Sequence, residues 1–370
     1  MMSSTFTPEK IETVRQALTT CTMCGFCKSV CPSFKAINWD TDLSRGRIVM
    51  TYGLAVGQLD PDESVIKSMY TCTTCADCVR RCTSKVKIVD IIEMCREDLV
   101  ANGHILPKHK AMCEGIIANN NPFGEKKSVV ETLGLKPHKA EVAYFAGCTA
   151  TYRATKTARG VITILDRLKI DWTGVDEVCC GSVMGRVGWN EEDRVRLMKR
   201  NVEAITSLGV KTLVLSCAGC YRMFKMEYPK HVDVPFEVLH ITEFLAKQKL
   251  PLKSLGDVTV TYHDPCHLGR HCGVYDAPRE VIKQFPDVNF KEMQYNRQFS
   301  HCCGGGGGVR AAFPDVAAKI ADTRIAEADF ADIIITTCPF CVTNLGAQAA
   351  LAKDGPRVVD LVELIEEHLC

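Results

Sequence analysis

Two short runs, "CTMCGFCKSVCP" and "CTTCADCVRRCT", constrain this chain more than any other feature in it. Each carries the spacing C-x2-C-x2-C-x3-C: Cys21, Cys24, Cys27 and Cys31 in the first, Cys72, Cys75, Cys78 and Cys82 in the second. Pro32 follows the first run, and Thr83 takes the proline's place after the second. Twenty-two cysteines among 370 residues is an unusual density. Small secreted domains use such density for disulfides, because they cannot build a sufficient core. This chain, with 46% hydrophobic residues, can build ordinary cores, and its N-terminal "MMSSTFTPEKIETVRQAL" holds no apolar stretch of signal-peptide length. The cysteines therefore point to metal, in a reducing cytoplasm.

The spacing is that of a [4Fe–4S] ligand run in which the fourth cysteine serves the other cluster of a pair. Three cysteines on a tight loop cap one side of a cubane, and the fourth lies too far round and crosses over. Cys21, Cys24, Cys27 and Cys82 are thus expected to hold one cluster, and Cys72, Cys75, Cys78 and Cys31 the other. Zinc also takes four cysteines, but its sites show pairs of cysteines rather than runs of four at this spacing.

A net charge of +1, from 45 basic and 44 acidic residues, argues against nucleic acid as the main partner, since no basic excess drives counterion release. No stretch approaches the roughly 20 apolar residues of a membrane span. The expectation is a soluble chain that reaches a membrane only through a partner. The N-terminal segment reads as a capped amphipathic helix, and "RGRIVMTYGLAVGQL" and "DESVIKSMY" as helices around a turn at "LDPD". Residues 84–140 read as mostly helical, broken by Pro107 and by "NNNPFG".

From residue 141 the texture changes. "EVAYFAGC", "KTLVLSCAGC", "DVTVTYHDPC" and "ADIIITTCPFC" are short β-rich runs ending in cysteine, and helical stretches alternate with them, one over 191–208 with Val195, Met198, Val202 and Ile205 in a stripe. That alternation predicts parallel-sheet α/β units. It is also an internal repeat. The first copy has Cys148, the pair Cys179 and Cys180 with Gly181, then Cys217 and Cys220; the second has Cys266, the pair Cys302 and Cys303 with Gly304, then Cys338 and Cys341. The expected divisions are an all-α part over 1–100, a helical connector over 101–140, and two α/β repeats over 141–250 and 251–370. Adjacent cysteines can each bind a different iron of one cluster, and a following glycine lets backbone pack against an inorganic core. Gly181, Gly304 and Gly305 are the glycines so placed. Two zinc ribbons with spare core cysteines are the alternative reading of these repeats.

The motifs "FAGCTATYR", "CCGSV", "SCAGCYRMFK", "HDPCHLGRHCGVYDAPRE", "CCGGGGGVR" and "TCPFC" resemble the CCG-domain iron–sulfur oxidoreductase family, whose best-known members are the catalytic subunits of heterodisulfide reductase in methane-producing archaea. The helical interval between the first two cysteine runs resembles the α-helical ferredoxin domains of fumarate and succinate dehydrogenase-type subunits. A double ferredoxin module ahead of two CCG domains is similar to the D-type heterodisulfide reductase chain, in which the C-type and B-type chains are joined. The resemblance implies two cubane [4Fe–4S] clusters and two noncubane ones. Cys148, Cys179, Cys180, Cys217 and Cys220 would bind one noncubane cluster, and Cys266, Cys302, Cys303, Cys338 and Cys341 the other. It implies reduction of the CoM-S-S-CoB disulfide between the two, a step of methanogenesis, in a complex with a redox partner. That partner would be a membrane b-type cytochrome, a flavin-containing subunit, or a hydrogenase or formate dehydrogenase module. An electron-transfer subunit of a glycolate- or lactate-oxidising flavoenzyme feeding quinone, and an adaptor in a larger redox complex, are the competing functions.

His263, Asp264, His267 and His271 surround Cys266. His267 is the candidate proton donor to a departing thiolate, and hydrogen bonding to sulfides or to the turn is the competing role. Arg270, Arg279 and Arg310 beside the second set, and Arg222 and Lys225 beside the first, are candidate partners for an anionic disulfide, Arg270 foremost, with a solvated or salt-bridged surface role competing for each. Cys95, Cys113, Cys272 and Cys370 fall outside all four sets and read as packing or surface thiols. "HCCGGGGGVR" lacks the Lys-Ser/Thr ending of a phosphate loop, and Val309 stands where GxGxxG needs glycine. Its extra glycines, absent from "VCCGSVMGRV", predict that backbone comes closest to cluster or substrate there.

Overall fold

The computed structural model describes residues 6–370. It divides into two compact units, one built from Met1–Cys113, Val183–Arg194 and His301–Ala321, the other from Glu114–Ser182, Val195–Ser300 and Asp322–Cys370.

The first unit is helical around the ferredoxin-type runs. Helices Ser44–Ala55 and Glu63–Tyr70 fill the interval between them, as the sequence predicts. The second starts where Asp62 turns its carboxylate back to accept the Val65 N–H at 2.8 Å. Both pack on helix Ile88–Ala101, whose Ile88, Ile91, Ile92, Cys95 and Leu99 recur at helical spacing and are buried. Cys95 is therefore a core thiol, pushed up to about 12 by burial. The N-terminal segment departs from expectation. It forms two short helices, Lys10–Thr13 and Arg15–Leu18, with a break at Val14 and no side-chain cap of its own. Asp98 caps it instead, accepting from the N–H groups of Lys10 and Ile11 at 2.8 Å each. The part of that expectation that falls on residues 1–5 lies outside the described residues.

The second unit holds two four-stranded parallel sheets of identical topology. Strands β1 (Val142–Phe145), β2 (Trp172–Gly174), β3 (Thr212–Leu215) and β4 (Glu237–His240) run in the order β2-β1-β3-β4. Strands β5 (Thr259–Tyr262), β6 (Asn289–Phe290), β7 (Ile333–Thr336) and β8 (Arg357–Asp360) repeat it as β6-β5-β7-β8. The central strands read as unbroken apolar runs because parallel strands are covered on both faces; Ile333–Thr336 is buried at every position. Helices from the two repeats pair across a shared core. Thr155–Arg167 packs on Leu361–His368, and Ile241–Ala246 on Asp276–Ile282. At the first crossing a Cβ on Gly160 would meet the Val362 carbonyl at 3.2 Å, so the close approach depends on that glycine. The helix predicted over 191–208 spans Glu191–Ser207, with Met198 and Ile205 buried and Val195 and Val202 half-buried. Helices Pro107–Asn119 and Val129–Leu133 precede β1, the second opened by a Ser128–Glu131 capping box. Among the described residues no helix is long and apolar enough to cross a membrane.

Candidate metal centres

The two ferredoxin-type runs fold into equivalent loops. Met23 and Gly25 in the first, Thr74 and Ala76 in the second, take positive φ at matching positions, from 54° to 80°. Three of these four are not glycine, which is backbone strain of the kind that persists where a tight loop must surround something. The loops line two cavities. One is walled by Cys21, Cys24, Cys27 and Cys82, with Phe26, Arg45 and Ile48. The other is walled by Cys31, Cys72, Cys75 and Cys78, with Arg47 and Val89. The fourth cysteine of each run thus stands at the other run's cavity, and four thiols around a single void match the donor set of a [4Fe–4S] cluster. The second cavity is the more enclosed: Cys31, Cys75 and Cys78 are buried, whereas Cys24 of the first is exposed. Burial pushes the Cys31 and Cys78 thiols up, so a cluster entering there must displace protons from reluctant acids. Arg47, itself buried, donates to the Ser68 carbonyl at 2.7 Å and to the Thr71 hydroxyl at 3.0 Å, which fixes its guanidinium beside this cavity with Asp42 3.9 Å away.

The first CCG set assembles in the second unit. Cys148 opens a short helix, Cys148–Tyr152, after β1; Cys179 and Cys180 lie in the loop before Ser182–Val187; Cys217 caps Ala218–Arg222 after β3, and Cys220 sits in that helix. The thiols form a connected group. Cys148 meets Cys179, Cys179 meets Cys180, Cys180 meets Cys220, and Cys220 meets Cys217. All five are buried. Gly147, with φ +78°, carries no Cβ because one would stand 2.9 Å from the Cys220 sulfur. Gly181 turns the chain after the Cys-Cys pair with φ +83°. Two residues that the sequence reading missed hold these loops. Glu177 accepts from the N–H groups of Ala146 and Gly147 at 2.9 and 2.6 Å, and burial pushes its carboxyl up to about 8. Asn201 takes the Val178 N–H at 2.9 Å and donates to its carbonyl at 3.2 Å. A polar residue inside the apolar stripe of Glu191–Ser207 was the available signal.

The second set is divided between the units. In the second unit Cys266 follows β5, Cys338 caps Pro339–Ala349 after β7, and Cys341 lies in that helix's first turn. The Tyr262–Thr337 hydroxyl pair at 2.8 Å repeats the Tyr144–Ser216 pair at 2.8 Å. Cys217 also meets Cys338, so the Cys-x-x-Cys corners of the two repeats adjoin. His267 and His271 stand with ring centroids 5.0 Å apart. Arg270 donates to the Ser300 carbonyl. Arg279 grips Asp264 with two bonds of 2.8 and 2.9 Å and also meets Glu292, and Arg222 lies 3.5 Å from Glu227. Cys272 is half-buried, its thiol pushed up to about 12 by burial.

In the first unit the Cys-Cys-Gly run divides its glycines between two tasks. The N–H groups of Gly304 and Gly305 point to the sulfurs of Cys302 and Cys303 at 3.3 and 3.4 Å. Three of the remaining glycines are packed tightly against protein, two of them against the second ferredoxin-type run. A Cβ on Gly307 would stand 2.4 Å from the Cys72 carbonyl, and one on Gly308 2.6 Å from His109 Nε2. The Cys302 sulfur lies 3.6 Å from the Thr73 hydroxyl. Arg96, fully buried and missed from sequence, ties this together. It donates to the carbonyls of Met69 and Cys72 at 2.7 Å each, of Gly307 at 3.0 Å and of Arg186 at 2.5 Å. Arg310 lies near Cys303.

Residues 142–225 and 260–346 match the cysteine-rich CCG domain family, and residues 17–86 match a 4Fe-4S dicluster domain. The D subunit of the dihydromethanophenazine:CoB--CoM heterodisulfide reductase of Methanosarcina barkeri is 36% identical over 95% of this chain and 94% of its own length. EtfAB:quinone oxidoreductase of Syntrophomonas wolfei is 28% identical over 94% of this chain and 58% of its own. The crystal structure of a hypothetical protein from Helicobacter pylori covers 78% of this chain and 59% of that one, with a TM-score of 0.52 and 11% identity, a likeness of fold alone. With both cysteine-rich repeats, the dicluster domain and a relative matched along nearly its whole length, the chain belongs to the CCG-domain iron–sulfur oxidoreductase family, alongside the D subunit of heterodisulfide reductase.

Proposed function

We propose that the chain is the iron–sulfur subunit of a disulfide reductase, taking single electrons from a redox partner subunit and reducing the CoM-S-S-CoB heterodisulfide. The observation that carries this reading is the meeting of Cys217 with Cys338, which turns the corners of two five-cysteine repeats toward one another. A disulfide lying there would have the Cys-x-x-Cys corner of one repeat on each side of its S–S bond. Its cleavage consumes two electrons and two protons and yields two thiols. The ferredoxin-type sites would hold two cubane clusters and the CCG sets two noncubane ones, supplying one-electron transfer and affinity for sulfur. The protein's part is to hold the thiols on strand-to-helix corners and to keep water out by burial. His267 is the candidate to hand over a proton and Arg270 to orient an anionic end of the substrate. The functional divisions in this reading are 1–100, 101–140, 141–250 and 251–370. The chain would work in the cytoplasm, reaching a membrane through a partner such as a b-type cytochrome.

A second reading draws on the likeness to EtfAB:quinone oxidoreductase. There the chain only conducts, passing electrons from a flavin partner toward quinone. Anaerobic purification, iron and sulfide counts, and viologen-driven reduction of CoM-S-S-CoB separate the two. About sixteen irons, four per cluster, with turnover supports disulfide reduction. Full clusters without turnover moves the assignment to conduction, and low iron with bound zinc overturns both.

A further inference from the structure

The mouth of the first ferredoxin-type site has a character that the second lacks. Cys24 is exposed there, with Met23 and Phe26 lining the same cavity and 46% and 50% in solvent, and Trp39, next to Asp40, is 70% exposed. Single exposed apolar side chains are ordinary on protein surfaces. These three are linked around one rim. Arg45 donates to the Met23 carbonyl at 3.4 Å and to Asp40, next to Trp39, at 2.7 Å. The Arg81 guanidinium stands 5.8 Å from the Phe26 ring centre. The rim is also strongly cationic. Over residues 21–40 and 80–88 the chain carries Lys28, Lys35, Arg80, Arg81, Lys85 and Lys87 against Asp40 alone. Arg80 is taken up by Asp77 at 2.7 Å and Lys28 by Asp40, and the other four remain on the cationic side. Asp40 is already engaged by Lys28 at 2.9 Å as well as by Arg45, and those contacts hold its carboxyl below the usual range.

We propose that this face is the docking surface for a small acidic electron-carrier protein from solution, one whose redox centre is ringed by carboxylates. The inference rests on the reading that the first site holds a cluster, and it names the partner of that site. Electron transfer needs the donor's redox centre close to the exposed sulfur edge, so the partner must carry a redox group at its contact surface. A lipid surface offers the complementary charge but no electron. An apolar patch at the centre, with opposite charges at the rim, is the arrangement that gives fast and short-lived association.

The test uses the anaerobic full-length protein and a strongly acidic two-cluster bacterial ferredoxin, reduced beforehand, as the probe. Stopped-flow absorbance follows reduction of the chain's own clusters with no disulfide present. The second-order rate is expected to fall about tenfold or more between low and moderate salt, as steered association does. Lys28→Glu/Lys85→Glu, and separately Lys85→Glu/Lys87→Glu, should slow it about tenfold at low salt and flatten the salt dependence. Trp39→Ser should slow it without changing the salt slope. Reduction by dithionite should be equal in all variants, which shows that folding and cluster content are intact. A salt-independent rate, or charge-reversed variants as fast as the parent, overturns the proposal. So does flotation with phosphatidylglycerol vesicles that is lost in the same variants while the ferredoxin rate is kept. Viologen-driven disulfide reduction is read separately, so failure of the disulfide reading leaves this rate measurement standing.

Discussion

At the scale of single residues, Arg96 does more for the first unit than any cysteine outside the four sets. Its guanidinium gathers carbonyls from three stretches of chain, Met69 and Cys72, Arg186, and Gly307. Arg96→Met should leave these buried acceptors unpaired and cost on the order of 3–5 kcal/mol, read by denaturant unfolding of the anaerobic protein. Arg96→Lys should recover only part, because an ammonium lacks the planar fork. Gly307→Ala tests the neighbouring contact. Gly307 and Gly209 share positive φ, 64° and 75°, but nothing stands within 4 Å of a Cβ on Gly209. Gly209→Ala should therefore cost roughly 1–2 kcal/mol of backbone strain. Gly307→Ala should cost clearly more and alter the electron paramagnetic resonance signal of a cluster held by Cys72. Sequence made the eighteen candidate cysteines legible, because metal chemistry imposes spacing over a few residues. Arg96, Asn201 and Glu177 were not legible as site residues, since each acts on backbone that only tertiary folding brings near.

At the scale of elements, strands ending in cysteine were readable because parallel strands buried on both faces must be apolar throughout. The break in the N-terminal helix was not, because its cap is Asp98, 87 residues beyond Ile11. Helix Pro107–Asn119 carries a measurable pH dependence. His109 Nε2 lies 2.9 Å from the Gly308 carbonyl, so this nitrogen carries the proton, and burial pushes the ring down to about 4. Between about 6.5, the unfolded value, and about 4, the unfolded chain binds a proton that the folded chain refuses. Stability should thus fall as pH drops through that window, by roughly 3 kcal/mol in all, and level off below it. His109→Gln should flatten the difference, measured by denaturant midpoints from pH 7 to 4.

For the molecule as a whole, the two units differ in what sustains them. The second has two sheets and a continuous apolar core, whereas the first encloses two thiol-lined cavities. Stripping iron with a chelator under reducing conditions should loosen the first unit broadly and, in the second, only the cysteine loops at the strand ends. Hydrogen exchange should rise over 21–31 and 72–82 while the β-strand amides stay protected, and iron should leave the site of exposed Cys24 first. Equal loss of protection across both sheets would contradict this division.

The three-part make-up of the first unit bears on how the protein is made. Met69 and Cys72 leave the ribosome early, Arg186 much later, and Gly307 near the end. The contacts that Arg96 makes therefore stay incomplete during most of synthesis, while all eight ferredoxin-type cysteines are already in place to receive iron and sulfide. A chain cut short before residue 301 would keep all eight ferredoxin-type cysteines and still lack the Gly307 carbonyl that Arg96 holds, so it should retain iron less well than the full chain.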